Sequence, residues 1–148
     1  MSDLSNLRIK FNSPHKEVEE FYNNSLQLKY YHCEVEFKSD NLLLVRIPKV
    51  QTIHHGGVGT SAVNGGVISY LFDLALGMTS YLVKDNHFVS SVTSRINIHF
   101  KRPLFAESVY AFAKIKEVKK NLIYSNSWIE SETGVICAKA DGILFTKS

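Results

Sequence analysis

The sequence predicts an α+β fold in which an antiparallel sheet curls around one long central helix. The first observation is the stretch Ala62–Val83, AVNGGVISYLFDLALGMTSYLV, which spans about six helical turns with almost no polar residue. Because it is apolar on every side, we expect it to be buried all round. The second observation is that alternating or apolar runs separated by turn residues lie on both sides of it, as is typical of strands. An order of helix, two strands, buried helix and four strands is typical of α+β domains.

Length and composition predict one domain. The chain has 148 residues, of which 45% are hydrophobic, enough for a sizeable core. A net charge of +3 is too small for a nucleic-acid-binding surface, so we expect no nucleic-acid partner. Met1–Phe11 lacks the pattern of a secretory signal. Asn64 and Asp73 interrupt the apolar stretch, so we also expect no membrane span. Cys33 and Cys137 are far apart and without metal-ligand spacing, which indicates a reducing cytoplasm and no metal.

The N-terminal region is predicted to contain one helix. Residues 1–12 are polar, and we expect them to be loose or lightly docked. Ser13-Pro14 is a typical helix start, with Ser as the N-cap and Pro at the first helical position. Apolar residues then recur at helical spacing, which predicts an amphipathic helix over residues 14–27. These residues are Val18, Phe21, Tyr22 and Leu26.

Six strands are predicted around the central helix, which we place at residues 62–84. The predicted strands are Cys33–Phe37, Leu42–Ile47, Phe88–Lys101, Ser108–Val118, Leu122–Ser131 and Val135–Thr146. Strict alternation in the third strand gives it two faces. It places Val92, Ile96, Ile98 and Phe100 on one face, and Thr93, Arg95, Asn97, His99 and Lys101 on the other.

Two features of the central stretch indicate chemistry. Asp73 is a carboxylate in the middle of an apolar helix, and such a group must be paired, hydrogen-bonded or used. The helix start, Asn64-Gly65-Gly66, follows the glycine-rich run His55–Ser61, so its backbone N–H groups can receive a carbonyl oxygen or an anion. A single sheet covers only one side of such a helix. We therefore expect a second copy to cover the rest, giving a homodimer or homotetramer.

These residues resemble the hotdog-fold acyl-CoA thioesterases, in particular the phenylacetate-degradation (PaaI-like) type. That family has His-Gly-Gly at the start of the central helix and an acidic residue nine positions after the His. Asn64 and Asp73 stand at those positions here. The segment from Thr93 to Pro103 resembles the family strand that begins at a Ser or Thr and ends at a Pro. The element order agrees from about residue 14 onward.

The resemblance implies hydrolysis of an acyl-CoA to free acid and coenzyme A, without a metal or redox cofactor. Asp73 would be the general base or the nucleophile, and Thr93 would orient the water or the carboxylate. Strict alternation puts Thr93 on the face opposite Ile96 and Ile98, so this role requires a β-bulge or a site formed on the interface side. The Gly66 N–H, with Gly65, would bind the thioester oxygen. Asn64 departs from the family because an amide donates an N–H but does not titrate. Asn64 also suits a plain N-cap, and both roles are compatible.

Other polar residues near these motifs have weaker assignments. His55 and its neighbour His54 adjoin the glycine loop and are candidates for substrate contact, although loop histidines are usually only solvated. Lys101 and Arg102 are candidates for binding coenzyme A phosphates, as are Lys119 and Lys120. The aromatic residues of the central stretch are core candidates first and acyl-pocket candidates second. They are Tyr70, Phe72 and Tyr81.

The spacing of the two motifs predicts a shared site. Nine helical residues turn the chain by roughly 900° and advance it by about 13.5 Å, so Asn64 and Asp73 of one helix point to opposite sides. Two antiparallel copies related by a two-fold axis bring Asp73 of one chain near Gly65 and Gly66 of the other. Two alternatives stay open: a binding module that holds an acyl thioester without turnover, and a 3-hydroxyacyl-thioester dehydratase. The latter generally uses a His base, which is missing at position 64.

Overall fold

The computed structural model describes residues 8–57 and 59–148. Three α-helices lie in this part of the chain: α1 His15–Asn23, α2 Leu26–Tyr31 and α3 Gly65–Met78. The strands are β1 Glu34–Ser39, β2 Leu42–Ile47, β3 Ser90–Phe100, β4 Val109–Lys119, β5 Leu122–Ser131 and β6 Ile136–Lys147. Short 3₁₀ helices cover Thr52–His54 and Thr79–Leu82.

The six strands form one antiparallel sheet in the order β1-β2-β4-β5-β6-β3. Helix α3 packs on its inner face through apolar side chains such as Leu71, Phe72 and Leu76, which are fully buried. Small residues on the facing strands let the helix approach closely. At Gly142, for example, a Cβ atom would lie 3.0 Å from Leu76 Cδ1. The predicted α+β arrangement of a sheet wrapped around one central helix is confirmed.

The central helix is shorter than the predicted range of residues 62–84. It begins at Gly65 because the Asn64 side chain caps it, and Val63 instead forms an isolated β-bridge with His55. It ends at Met78, where the Thr79 hydroxyl donates to the Leu76 carbonyl at 2.6 Å and a 3₁₀ turn follows. Side-chain hydrogen bonds to the backbone therefore set both ends of the helix.

The N-terminal region also differs from its prediction. The single helix predicted over residues 14–27 is two helices, because Ser25 caps a new helix by accepting a hydrogen bond from the Leu28 N–H. Pro14, and not Ser13, is the N-cap of α1. Phe11 is docked, since its ring stacks on Tyr81 at 5.0 Å between centroids, in agreement with the second of the two predicted alternatives. Residues 1–7 of the predicted loose segment lie outside the described residues.

The two edge strands of the sheet differ in whether side chains bond their outer backbone groups. On β1, the Asn23 side chain bonds both the N–H and the carbonyl of Val35, and Glu19 accepts from the Phe37 N–H at 2.6 Å. Helix α1 thus covers that edge. On β3, no side chain within the described residues bonds the outer backbone edge of this 11-residue strand. A long open edge of this kind is a template for another strand.

Strict alternation fails in β3 at a β-bulge. The register with β6 shifts between Thr93 and Arg95, so Ser94 is the extra residue. Thr93 therefore lies opposite the buried Leu144 on the inner face, whereas Val92 points outward and is 58% exposed. The predicted faces are wrong for these two residues. From Arg95 to Phe100 the alternation is as predicted.

Candidate functional site

The helix face that the sheet leaves uncovered carries a carboxylate. Leu71, Phe72 and Leu76 point into the core, whereas Asp73 is exposed in the single chain. The sheet alone therefore does not bury α3 all round, and the side bearing Asp73 is open. A carboxylate in this position is available to a ligand or to a second chain.

Asp73 is held by one hydroxyl. Thr93 Oγ1 donates to Asp73 Oδ1 at 2.9 Å, which joins the middle of α3 to the edge strand β3. The bulge at Ser94 makes this contact possible, because without it Thr93 would point to the outer face. The second carboxylate oxygen, Oδ2, has no hydrogen bond among the described residues.

The start of α3 is organised by Asn64. Its side-chain oxygen Oδ1 accepts from the Gly66 N–H at 2.6 Å, so the N–H that the sequence assigns to an oxyanion is occupied in this chain. Because Oδ1 faces the helix, the Nδ2 amide group of Asn64 faces away, and it has no hydrogen bond among the described residues. The N–H of Gly65 likewise has no acceptor within the described part of the chain, as expected for the first residue of a helix.

The helix start and the end of β3 are in contact. A Cβ atom at Gly65 would lie 3.6 Å from the Phe100 ring, so the absence of a side chain lets this ring lie against the helix start. Strand β3 therefore touches both parts of the candidate site. Thr93 near its beginning contacts Asp73, and Phe100 at its end contacts Gly65.

The two loop histidines lie in different settings. His54 is buried and both ring nitrogens are used: Nδ1 accepts from the Gln51 N–H at 2.9 Å, and Nε2 donates to the Tyr31 carbonyl at 2.8 Å. Its own carbonyl accepts from the Asn64 N–H at 2.8 Å. His54 therefore positions the residue before the helix and does not face a ligand. His55 is half-buried in the bridge to Val63.

The predicted basic residues separate into two groups. Lys101 and Arg102 are exposed, and both backbone N–H groups donate to the Cys137 carbonyl directly after Phe100. They share the end of the sheet with the start of α3. Lys119 and Lys120 lie at the β4–β5 turn, at the other end of the sheet, where Asn121 accepts from the Thr146 N–H. Val58, in the glycine-rich run His55–Ser61, lies outside the described residues.

Helix α2 contacts α3 near Asp73 through Tyr31 and Gln27. The Tyr31 ring stacks on Tyr70 at 4.1 Å between centroids, and the Tyr70 hydroxyl donates to Gln27 at 3.2 Å. Burial raises the pKa of Tyr70, and the nearby Cys33, Tyr31 and Asp73 raise it further. Tyr70 therefore stays protonated as a hydrogen-bond donor.

Sequence reasoning missed the contribution of α2 to this region. The run Asn23-Asn24-Ser25 was the available signal, because these residues end one helix and cap the next. Of the three aromatic core candidates, Phe72 and Tyr81 are buried, while Tyr70 is half-buried at the open face.

The fold and these residues define a class of protein, and comparison with known proteins gives the family. A model described as "Thioesterase superfamily" matches residues 60–138, more than half of the chain, which includes α3 and β3 to β5. The chain belongs to the thioesterase superfamily. No curated protein sequence gives a significant match.

Solved structures show the same fold at low identity. A Shewanella oneidensis protein related to the thioesterase superfamily has a TM-score of 0.80 at 14% identity, over 90% of this chain and 95% of its own. The E. coli PaaI protein from the phenylacetic acid degradation operon has a TM-score of 0.73 at 19% identity, over 90% and 92%. A Bacillus halodurans protein crystallised with CoA has a TM-score of 0.73 at 21% identity, over 90% and 87%. The predicted hotdog fold is confirmed.

No helix among the described residues is both long and apolar enough to cross a membrane.

Proposed function

We propose that this protein hydrolyses an acyl-CoA thioester to the free acid and coenzyme A, at a site completed by a second copy of the chain. The observation that carries the proposal is the hydrogen bond from Thr93 Oγ1 to the exposed Asp73, 2.9 Å long, on the open face of the central helix. Membership of the thioesterase superfamily supports the reaction class. The CoA in the Bacillus halodurans relative supports the carrier.

The open edge of β3 is the surface on which the second copy would pair. Two β3 strands related by a two-fold axis run antiparallel, and residues directly opposite each other must point to the same face. Any two-fold axis centred on a residue of the regular part of β3 meets this condition. We propose an axis at Asn97, which places Arg95 opposite His99 of the partner subunit. With the bulge at Ser94, Thr93 then faces Phe100 of the partner subunit on the inner side.

This register brings the two halves of the site together. Thr93 holds Asp73 in one subunit, and Phe100 lies against Gly65 in the other. The carboxylate of one subunit therefore approaches the helix start of its partner. Each dimer would contain two such sites, and the side of α3 that the sheet leaves open would be covered.

The chemistry follows from these groups. Asp73, oriented by Thr93, removes a proton from water as the water oxygen adds to the thioester carbonyl carbon. Negative charge grows on the carbonyl oxygen, and a preorganised N–H donor stabilises it. The C–S bond then breaks, and the proton passes to the leaving sulfur. In the alternative route, Asp73 attacks the carbonyl carbon, the C–S bond breaks and coenzyme A leaves as the thiolate. Water then hydrolyses the mixed anhydride, and the same groups take part.

The oxyanion donor differs from the one that the sequence suggested. Because Asn64 Oδ1 occupies the Gly66 N–H, the outward Nδ2 of Asn64 and the Gly65 N–H are the donors available at the helix start. The positive end of the α3 dipole adds to their effect. An amide is sufficient here because the role needs a donor and not a titrating group.

A binding module without turnover is the second candidate, and one observation favours it. The Gly66 N–H already donates to Asn64 Oδ1, so it is not available to the thioester oxygen, and the Asn64 amide does not transfer a proton. Such a protein would hold the thioester at the same surface without cleaving it.

An acyl-CoA panel with a thiol-reactive dye separates the two candidates. We expect release of free thiol with the purified protein, and a loss of release in the Asp73→Asn variant. The carboxylate is removed there while the shape of the side chain is kept. Saturable binding without thiol release would support the binding module, and full activity of the variant would overturn the assignment of Asp73.

A further inference from the structure

A cavity on the outer face of the sheet is lined by one large aromatic ring and several cations. Its volume is about 510 Å³, and it lies over β3, β4, β5 and β6 on the side away from α3. Its lining includes one tryptophan and three lysines, namely Trp128, Lys101, Lys114 and Lys139. We call this cavity the Trp128 groove.

The lysines are arranged around the tryptophan. Lys139 lies directly opposite Trp128 in the β5–β6 register, and Lys114 Nζ is 5.7 Å from the Trp128 ring centroid. On the next strand, the Trp128 ring stacks with Phe112 at 5.5 Å between centroids. The ring thus lies against a neighbouring ring, with the Lys114 ammonium group near it.

The charge of the groove is unbalanced. Within the described part of the chain, Asp141 is the one carboxylate that lines it, and Asp141 accepts a hydrogen bond from Asn97. The salt bridges found among the described residues do not include Lys101, Lys114 or Lys139. Three lysines line the same groove, and a bound anion relieves the repulsion between their charges.

From these observations we infer that the Trp128 groove binds an adenine nucleotide with several phosphates. A flat base stacks on the Trp128 ring, as bases do on aromatic side chains, and the lysines neutralise the phosphates. An aromatic platform and cations within one cavity match a nucleotide better than a plain inorganic anion, which needs no ring.

The inference rests on the proposed function when the nucleotide is taken to be the end of a CoA substrate. Phe100, on the inner face, touches Gly65 at the helix start, and the next residue, Lys101, lines the groove on the outer face. Strand β3 ends there, so the pantetheine arm passes around the end of the strand. The thioester then lies at Asn64 while the nucleotide lies in the groove.

The chain supplies its own reporter, because Trp128 is its single tryptophan. The probe is 3′-phosphoadenosine 5′-diphosphate, which lacks pantetheine and sulfur. We expect saturable quenching of Trp128 emission that weakens as salt rises. Lys139→Ala should weaken binding about tenfold, since one phosphate contact is lost. The matched control, Lys116→Ala, removes an exposed lysine from the same strand as Lys114 but outside the groove, and should bind as the wild type does.

Other results would overturn the inference. These are the absence of saturable quenching, equal quenching by pyrophosphate alone, or equal weakening in the Lys116→Ala control. A kinetic measurement adds the link to the substrate. Lys139→Ala should raise KM for an acyl-CoA about tenfold with kcat unchanged, and leave hydrolysis of an acyl-N-acetylcysteamine, which has no nucleotide, unaltered.

Failure of the proposed function gives a different pattern. If the protein releases no thiol from any acyl-CoA, the fluorescence titration still reports nucleotide binding. If it hydrolyses acyl-CoA and Trp128 does not respond to the probe, the groove is not the nucleotide site and the hydrolytic site is unaffected.

Discussion

Two threonine hydroxyls donate hydrogen bonds to residues of α3, one of them in the buried core and the other at an exposed surface. Thr79 is fully buried, donates to the Leu76 carbonyl at 2.6 Å and lies 2.7 Å from the Ser125 hydroxyl. Thr93 is exposed and donates to one oxygen of the exposed Asp73. At the C-terminal end of α3, the Thr79 hydroxyl is paired inside the core. In the middle of α3 and at its start, Asp73 and the Asn64 amide keep bonding capacity that the described residues do not use, which is what a substrate needs.

Removal of the carboxylate should produce the largest effect. In Asp73→Asn we expect hydrolysis to fall about 10²–10⁴-fold, because a general base contributes that much to the rate. The unfolding midpoint in urea should stay close to that of the wild type, because the side chain is exposed. An unchanged kcat would show that Asp73 is only a surface residue.

Substitutions at Asn64 should separate its role as the N-cap of α3 from its proposed role as a hydrogen-bond donor to the thioester oxygen. Asp is as good an N-cap as Asn but has no N–H, so Asn64→Asp keeps the cap and removes the proposed donor. We expect stability to be kept and kcat to fall about 10²-fold, as for the loss of an oxyanion donor.

The control at the same position is Asn64→Ala, which removes both roles and should also lose about 1 kcal/mol of stability. Retained activity in Asn64→Asp would place the donor function on the backbone N–H groups alone.

The same substitution at the two threonines tests the comparison directly. Thr93→Val should lower kcat about tenfold, because a hydrogen bond to a charged group is lost, with little change in stability. Thr79→Val should lower the free energy of unfolding by about 1–3 kcal/mol, because the buried Ser125 hydroxyl loses its partner, with kcat kept.

Thr93→Ser should restore activity, since it supplies the same hydroxyl. If both valine variants lose stability alike and neither loses kcat, the hydrogen bond to Asp73 is structural.

The smallest expected effect is on the pH dependence of stability. Burial raises the pKa of the Cys33 thiol from 9.0 to about 11, and burial also raises the pKa of Tyr81. Because the pKa of the Cys33 thiol is higher in the folded state than in the unfolded state, the buried thiol makes its full contribution to stability below pH 9. This contribution is lost as the pH rises towards 11. Urea unfolding should therefore show a decline over this range, and Cys33→Ala should make the decline shallower. Equal slopes in the two proteins would contradict the burial of this thiol.

Much of the fold could be predicted because its signals are local. Strand limits follow from alternation and from turn residues such as Ser39–Asn41, and they agree with the structure to within about two residues. At the start of α3, the sequence suggested Asn64 as the N-cap, and the structure confirms that role. The other end could not be predicted in this way, because it depends on the Thr79 hydroxyl, which bonds the Leu76 carbonyl.

The site was predicted less completely, for two physical reasons. Alternation in the sequence carries no mark of a bulge, so it placed Thr93 on the wrong face even though its role beside Asp73 was expected. The rotamer of Asn64 decides whether the Gly66 N–H is free, and this depends on the local geometry of the helix start. The sequence therefore identified which residues form the candidate site, but it did not give the directions in which their side chains point.

Mixed dimers test most directly whether one subunit completes the site of the other. Asp73→Asn and Asn64→Asp proteins, each nearly inactive alone, are unfolded together and refolded in equal amounts. A shared site predicts recovery of about a quarter of wild-type activity, because half of the dimers are mixed and one of their two sites is intact. No recovery above the sum of the two variants, in dimers shown to have exchanged subunits, would contradict a site formed between copies.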